Sequence, residues 1–117
     1  TKAAEQGLAR AQYNLGVFYD KGRGVLQDDK QAVYWYTKAA EQGDAMAQNN
    51  LAIYYFTGNA GLLNYKKAYM WFNLARYNGH DTEGTIELIT PTMTKEEILE
   101  AQSMSQKCLA SDYKECG

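Results

Sequence analysis

Few side chains in this sequence combine in a way that could do chemistry. Ser111 and Lys114 stand at Ser-x-x-Lys spacing, which lets a lysine amine activate a serine hydroxyl as a nucleophile. That chemistry needs the pair at the start of a helix inside a cleft. Here it lies in the tail, after a helical pattern, and the companion motifs Ser-Asp-Asn and Lys-Thr-Gly are absent. The single histidine, His80, follows a glycine and precedes Asp81 and Glu83. A metal site needs more imidazole or thiolate ligands than this, so His80 reads as a solvated loop residue and no metal or cofactor is expected. Asp28 with Asp29, and Glu96 with Glu97, are acidic pairs at helix starts, where they complement the helix dipole without a catalytic role. The two cysteines, Cys108 and Cys116, are eight residues apart. On one continuous helix their Cα atoms would be ~12 Å apart, beyond disulfide reach. A bridge therefore requires the helix to break near Ser111 or Asp112, and two free thiols are the alternative.

The bulk properties narrow the function classes. The net charge of −2 provides no basic field for nucleic acid or anionic lipid. No apolar run approaches the ~20 residues that span a bilayer, so direct membrane insertion is not expected. One proline, Pro91, leaves long stretches free to be helical. The chain begins at Thr1, and Thr1 to Gly7 read as the end of a helix. The expectation is a segment of a longer protein, with any export signal lying upstream.

The elements that position these residues come from an internal repeat. TKAAEQG occurs at 1–7 and again at 37–43. The 36-residue offset aligns Gln12 with Gln48, Leu15 with Leu51, Tyr19 with Tyr55, Ala32 with Ala68 and Trp35 with Trp71. Without a gap, 18 of 36 positions are identical between 1–36 and 37–72, which only duplication explains. Each repeat reads as two helices. The first spans about Ala9 to Lys21, with Ala11, Leu15 and Phe18 on one face, and stops at Gly22 and Gly24. The second opens at Asp28, with Gln31 placed for a capping box, carries Ala32, Trp35, Tyr36, Ala39 and Ala40, and stops at Gly43. Asn64 caps the equivalent helix in the next repeat, which carries Ala68, Trp71, Phe72 and Ala75 and stops at Gly79. Thr94 and Glu97 form a further capping box that opens a closing helix from about Lys95 to Ala110. Its stripe is Ile98, Ala101, Met104 and Cys108 or Leu109. The expected fold is all-α, a solenoid of stacked helix pairs in a single domain 1–117. Residues 1–7 end a preceding repeat, 8–43 and 44–79 are two repeats, and 80–117 form a degenerate repeat with the closing helix.

These residues resemble a known family. Ala-x-Ala-Gln-x-x-Leu-Gly-x-x-Tyr at Ala9 to Tyr19 is followed by Gly-x-Gly-Val at Gly22 to Val25 and Asp-x-x-x-Ala-x-x-Trp-Tyr at Asp28 to Tyr36. Lys-Ala-Ala-Glu-Gln-Gly closes the pattern at Lys38 to Gly43. The whole is similar to the Sel1-like repeat, a relative of the tetratricopeptide repeat, from Thr1 to about Gly79. The second repeat departs from it, with Ala52 in place of the glycine after Leu51 and a different loop at Asn59 to Asn64. The resemblance implies an α-solenoid that serves as an adaptor or assembly platform, often exported in bacteria. A cysteine pair at the spacing of Cys108 and Cys116 is also a feature of the cysteine-rich, exported branch. It points to a disulfide and to a periplasmic or secreted location, with a cytoplasmic one as the alternative.

In tetratricopeptide-type stacks the first helices line the inner curve. Once Leu15 and Tyr19 point into the core, the positions left for that curve are Arg10, Tyr13, Val17 and Asp20. The offset adds Met46, Asn49, Ile53 and Phe56. Spacings of 3, 4 and 3 keep each set on one helical stripe, and the mixture of aromatic, apolar and polar groups suits peptide recognition. The leading reading is a protein-interaction scaffold that binds a peptide or protein partner there, without enzymatic activity. One alternative is a cell-envelope ligand binder or serine hydrolase of the penicillin-recognising type, resting on Ser111 and Lys114. Another is a structural unit that self-associates through an exposed terminal repeat.

Overall fold

Among the described residues, six α-helices follow one another: α1 (Lys2–Lys21), α2 (Asp29–Ala40), α3 (Ala45–Thr57), α4 (Tyr65–Tyr77), α5 (Glu83–Ile89) and α6 (Lys95–Ala110). Two 3-10 turns stand at Asn59–Gly61 and Thr90–Thr92. This computed structural model describes residues 2–22, 28–80 and 83–116, and side chains from residue 7 onward except 83 and 84.

Side-chain caps set the helix starts where the sequence places them. Asp28 accepts from the backbone N–H of Lys30 at 3.0 Å and of Gln31 at 3.2 Å. Asn64 accepts from Lys67 at 3.0 Å, in the same register one repeat on. Asp44 accepts from Ala47, also at 3.0 Å. Thr94 and Glu97 complete a reciprocal capping box at 2.9 and 3.1 Å, which holds the Glu97 carboxyl below its ordinary range. At Asp28 the cap is one-sided, because the Gln31 side chain does not return the bond.

The ends of α2, α4 and α6 share one geometry. Asp44 N–H donates to Ala39, His80 to Ala75 and Tyr113 to Cys108, each closing the last turn of its helix. At the first two ends a glycine takes the left-handed residue, Gly43 at φ 89° and Gly79 at φ 97°. At the third, Asp112 and Tyr113 take it at φ 55° and 66°, so α6 breaks after Ala110 and the tail turns back. The Cys108 and Cys116 sulfurs then lie at disulfide distance, with Cα atoms 4.4 Å apart. Tyr113 is folded in against Gly43, and its hydroxyl accepts from Asn78 at 2.9 Å. Ser111 belongs to this turn. Its hydroxyl donates to the Cys108 carbonyl and accepts from the Glu115 N–H, which ties it into the turn.

Packing follows the duplication. α1 packs with α2, α3 with α4, and α2 with α3, which makes an α-solenoid that α5 and α6 close against α4. The buried core runs through α2, α3, α4 and α6, with Tyr36, Leu51, Met70, Phe72, Leu74 and Cys108 fully enclosed. Gln48 is buried yet satisfied. It donates to the Ala40 carbonyl and accepts from Asn78, both at 3.0 Å, and so ties the ends of α2 and α4 to α3.

Three expectations are corrected. The stop at Gly7 is not made, because α1 runs unbroken from Lys2 to Lys21. In the second repeat Asp44 caps the new helix after Gly43, whereas its equivalent after Gly7 is Leu8, which offers no acceptor. Leu15 does not point into the core. It is 38% exposed where its equivalent Leu51 is fully buried, and Phe18 is 45% exposed where its equivalent Tyr54 is 4%. The α1 face carrying Leu15 and Phe18 has no described helix against it, while α2 and α4 enclose α3. Finally, the match of Trp35 with Trp71 does not extend to burial: Trp35 is half-buried, set edge-on to Tyr34, whereas Trp71 is 4% exposed.

Candidate binding cleft

A cleft of about 280 Å³ opens between α1 and α3. Tyr13, Val17, Asp20 and Lys21 reach it from α1, Tyr36 from α2, Asn50, Ile53 and Tyr54 from α3, and Asn59 from the turn that follows. Positions four and three apart on a helix share a face, so Tyr13, Val17 and Asp20 line up by helical geometry alone.

The polar centre of the cleft is Asp20. One carboxylate oxygen accepts from the Tyr54 hydroxyl at 2.7 Å and the other from the Tyr36 hydroxyl at 3.0 Å. The Tyr54 hydroxyl is also 3.1 Å from a carboxylate oxygen of Asp29. Both phenols are buried, and burial raises their pKa values far above the ordinary tyrosine range, with the Asp20 charge adding to the effect. The rings form a continuous row, Tyr13 to Tyr36 at 5.8 Å between centroids and Tyr36 to Tyr54 at 6.2 Å. Ile53 is 41% exposed and Val17 half-buried, so apolar surface is available beside the carboxylate.

Of the eight residues expected on the inner stripe, the structure brings Tyr13, Val17, Asp20 and Ile53 together in the cleft. Arg10 and Met46 form a neighbouring cluster. The Arg10 guanidinium lies 3.6 Å from Asp44, 3.0 Å from the Met46 sulfur and 5.4 Å from the Tyr13 ring centre. Asn49 is half-buried on α3 and Phe56 packs on Tyr65 at 5.8 Å; neither lines the cleft. Sequence reasoning missed Lys21, Tyr36, Asn50, Tyr54 and Asn59. Comparing the two repeats at polar positions could have drawn attention to the hydroxyl of Tyr36, because Phe72 stands at its equivalent. Among the described residues, no cluster of three or more His, Cys, Asp or Glu is placed to hold a metal, and no helix is long and apolar enough to cross a membrane.

The model of the Sel1 repeat matches residues 9–44 and again 45–80, a spacing equal to the internal offset. The chain belongs to the Sel1 repeat family. Sel1 repeat proteins are generally protein-interaction scaffolds, and their fold is typically non-catalytic. Two solved structures are similar to this Sel1 repeat chain. A protective antigen of uropathogenic Escherichia coli that displays an SLR fold is 32% identical, with a TM-score of 0.82, over 95% of this chain and 25% of that one. A Sel1 repeat protein from Oxalobacter formigenes is 31% identical, with a TM-score of 0.65, over 91% of this chain and 46% of that one. The chain thus spans a quarter of the first and under half of the second. No curated protein matches it.

Proposed function

We propose that this Sel1 repeat chain is a binding scaffold that holds a segment of a protein partner in the cleft between α1 and α3. The observation that carries the reading is the composition of that cleft. A row of tyrosine rings, two aliphatic side chains and a phenol-bound carboxylate converge on one concavity, the mixture of apolar body and fixed polar groups that recognition surfaces use. Rigid aromatic anchors carry much of the energy at such surfaces. Calorimetry with a purified partner tests it. Tyr13→Ala and Ile53→Glu should each weaken binding about tenfold or more, with far-ultraviolet circular dichroism unchanged. Full affinity in both variants would place the contact elsewhere.

A second reading is self-association through α1. Leu8, Leu15 and Phe18 are 54%, 38% and 45% exposed, which puts apolar surface where the next repeat buries Leu51 and Tyr54. Sedimentation of the native chain and of Leu15→Lys with Phe18→Lys separates the cases. Association lost in the double variant favours this reading, and a monomer at all concentrations removes it.

For location, the cysteine pair at disulfide distance supports an oxidising compartment such as the periplasm or the exterior. Mass spectrometry of the natively produced protein without reductant reads the bridge directly.

A further inference from the structure

We propose that the cleft is an anchor pocket for the guanidinium of an arginine presented by the partner. The inference rests on the scaffold reading and names the chemistry of what the scaffold holds.

Hydrogen-bond counting comes first. Three carboxylate oxygens, both of Asp20 and one of Asp29, lie within 2.7–3.1 Å of the hydroxyls of Tyr36 and Tyr54. Each phenol has one proton to donate. Tyr54 faces two carboxylates and satisfies one, so its oxygen lone pairs meet the other. The centre is therefore short of donors, with the Asp20 carboxylate lining the cleft and the Asp29 carboxylate joined to it through the Tyr54 hydroxyl. Among the described residues, neither carboxylate has a lysine or arginine nitrogen at ion-pair distance, Lys21 at the cleft included. A donor-rich cation is the guest that would complete this arrangement.

The second observation is independent of that count and comes from the duplication. In repeat two the positions of Asp20 and Asp29 are held by Phe56 and Tyr65, whose rings pack on each other at 5.8 Å. The position of Tyr36 is held by Phe72, without the hydroxyl. The same scaffold is thus built in repeat two with apolar or aromatic groups at all three places. Repeat two folds without two carboxylates and a phenol at these places, so the carboxylate centre is particular to repeat one.

Shape and size select the guest. A cleft of about 280 Å³ lies just below the ~300–1,000 Å³ range of small-molecule sites and suits one long side chain. Val17 and Ile53 offer apolar contact to a methylene stem, and the Tyr13 ring offers a face to a planar cation. A guanidinium presents five donors in a fixed plane and can meet the Asp20 carboxylate and the Tyr54 oxygen beside it together, which an ammonium does less well.

The test is a nuclear magnetic resonance titration of the chain with Nα-acetyl-arginine methylamide, with the lysine and citrulline analogues as comparisons. The arginine probe should give saturable shifts confined to the amides around Tyr13, Asp20 and Tyr54, with affinity on the order of millimolar. Binding should weaken about tenfold in Asp20→Asn and also fall in Asp29→Asn, whose spectra report whether the fold is kept. Citrulline, which keeps the shape and loses the charge, should give no localised shifts, and the lysine probe should bind more weakly than arginine. Arg23, three residues beyond Asp20 in sequence, carries a guanidinium of its own; the affinity for the arginine probe should be unchanged in Arg23→Gln, because a competing occupant would give tighter binding once removed. Equal shifts from citrulline, equal affinity for lysine, a marked rise in affinity in Arg23→Gln, or unchanged binding in both aspartate variants would each overturn the proposal. Its failure is distinguishable from failure of the scaffold reading. A purified partner that is lost in Ile53→Glu but held fully in Asp20→Asn uses the cleft without this anchor, whereas one indifferent to both does not use the cleft at all.

Discussion

Asp20 and Tyr54 stand 34 residues apart in the chain and meet at 2.7 Å across the cleft, joining the first helix of repeat one to the first helix of repeat two. Tyr36 holds the other carboxylate oxygen from the helix between them. One side chain thus links three consecutive helices, and the shape of the cleft depends on those two bonds.

Alkaline titration should show this directly. Burial and the Asp20 charge raise the pKa values of Tyr36 and Tyr54, and burial also raises that of Tyr55. In the folded state these phenols keep protons that the unfolded state releases near pH 10. Their contribution to stability is therefore complete below about pH 10 and is lost as pH rises toward the folded values. Absorbance at 295 nm should show Tyr36, Tyr54 and Tyr55 titrating late, and only with unfolding. Ten tyrosines ionising together at the ordinary pH, with helicity retained, would contradict the buried hydrogen bonds.

Gly16→Ala should disturb the same centre. A Cβ built at Gly16 falls 2.5 Å from one ring carbon of Tyr36 and 2.6 Å from the next, and that ring is fully buried. Ala52 fills the equivalent place in repeat two. Overpacking of this kind costs about 1–3 kcal/mol, readable by urea unfolding. Loss of the late titration of Tyr36 should accompany it.

The two tryptophans should separate. Trp71→Ala removes an almost fully buried ring and should cost about 3–5 kcal/mol. Trp35→Ala removes a half-buried one and should cost about 1–2 kcal/mol. Equal losses in urea unfolding would mean that the outer face of α2 is covered as well as that of α4.

The difference between these residues shows what the sequence could and could not carry. Repeat length, the caps at Asp28, Asn64 and Thr94 and the stops at Gly43 and Gly79 depend on neighbours within one turn, and all were legible. The run of α1 through Gly7, the exposure of Leu15 and the half-burial of Trp35 depend on what packs against a helix from outside its repeat. Identity between repeats conceals such differences. Within the cleft, the stripe of Tyr13, Val17 and Asp20 followed from helical spacing. Tyr36 and Tyr54 did not, because they reach the cleft from other helices, 16 and 34 residues beyond Asp20.

The tail predicts a clamp. Tyr113 lies against Gly43 and accepts from Asn78, held there by the turn that brings Cys116 back to Cys108. Replacing both cysteines with alanine should cost about 2–3 kcal/mol, the usual contribution of a short-loop bridge. Amide exchange near Tyr113 should rise well before that of α3. Unchanged stability with unchanged exchange would mean that the turn at Asp112 and Tyr113 holds the tail without the bridge.

Photocrosslinking tests the central claim, that a partner segment occupies the cleft, most directly. Benzoyl-phenylalanine placed at Ile53 reports on the cleft, and the same group at Leu99, 58% exposed on α6 and not a cleft residue, is the control. With a purified partner bound, the account predicts a crosslink from position 53 that disappears under excess unlabelled chain, and none from position 99. A crosslink from position 99 with none from position 53 would contradict it.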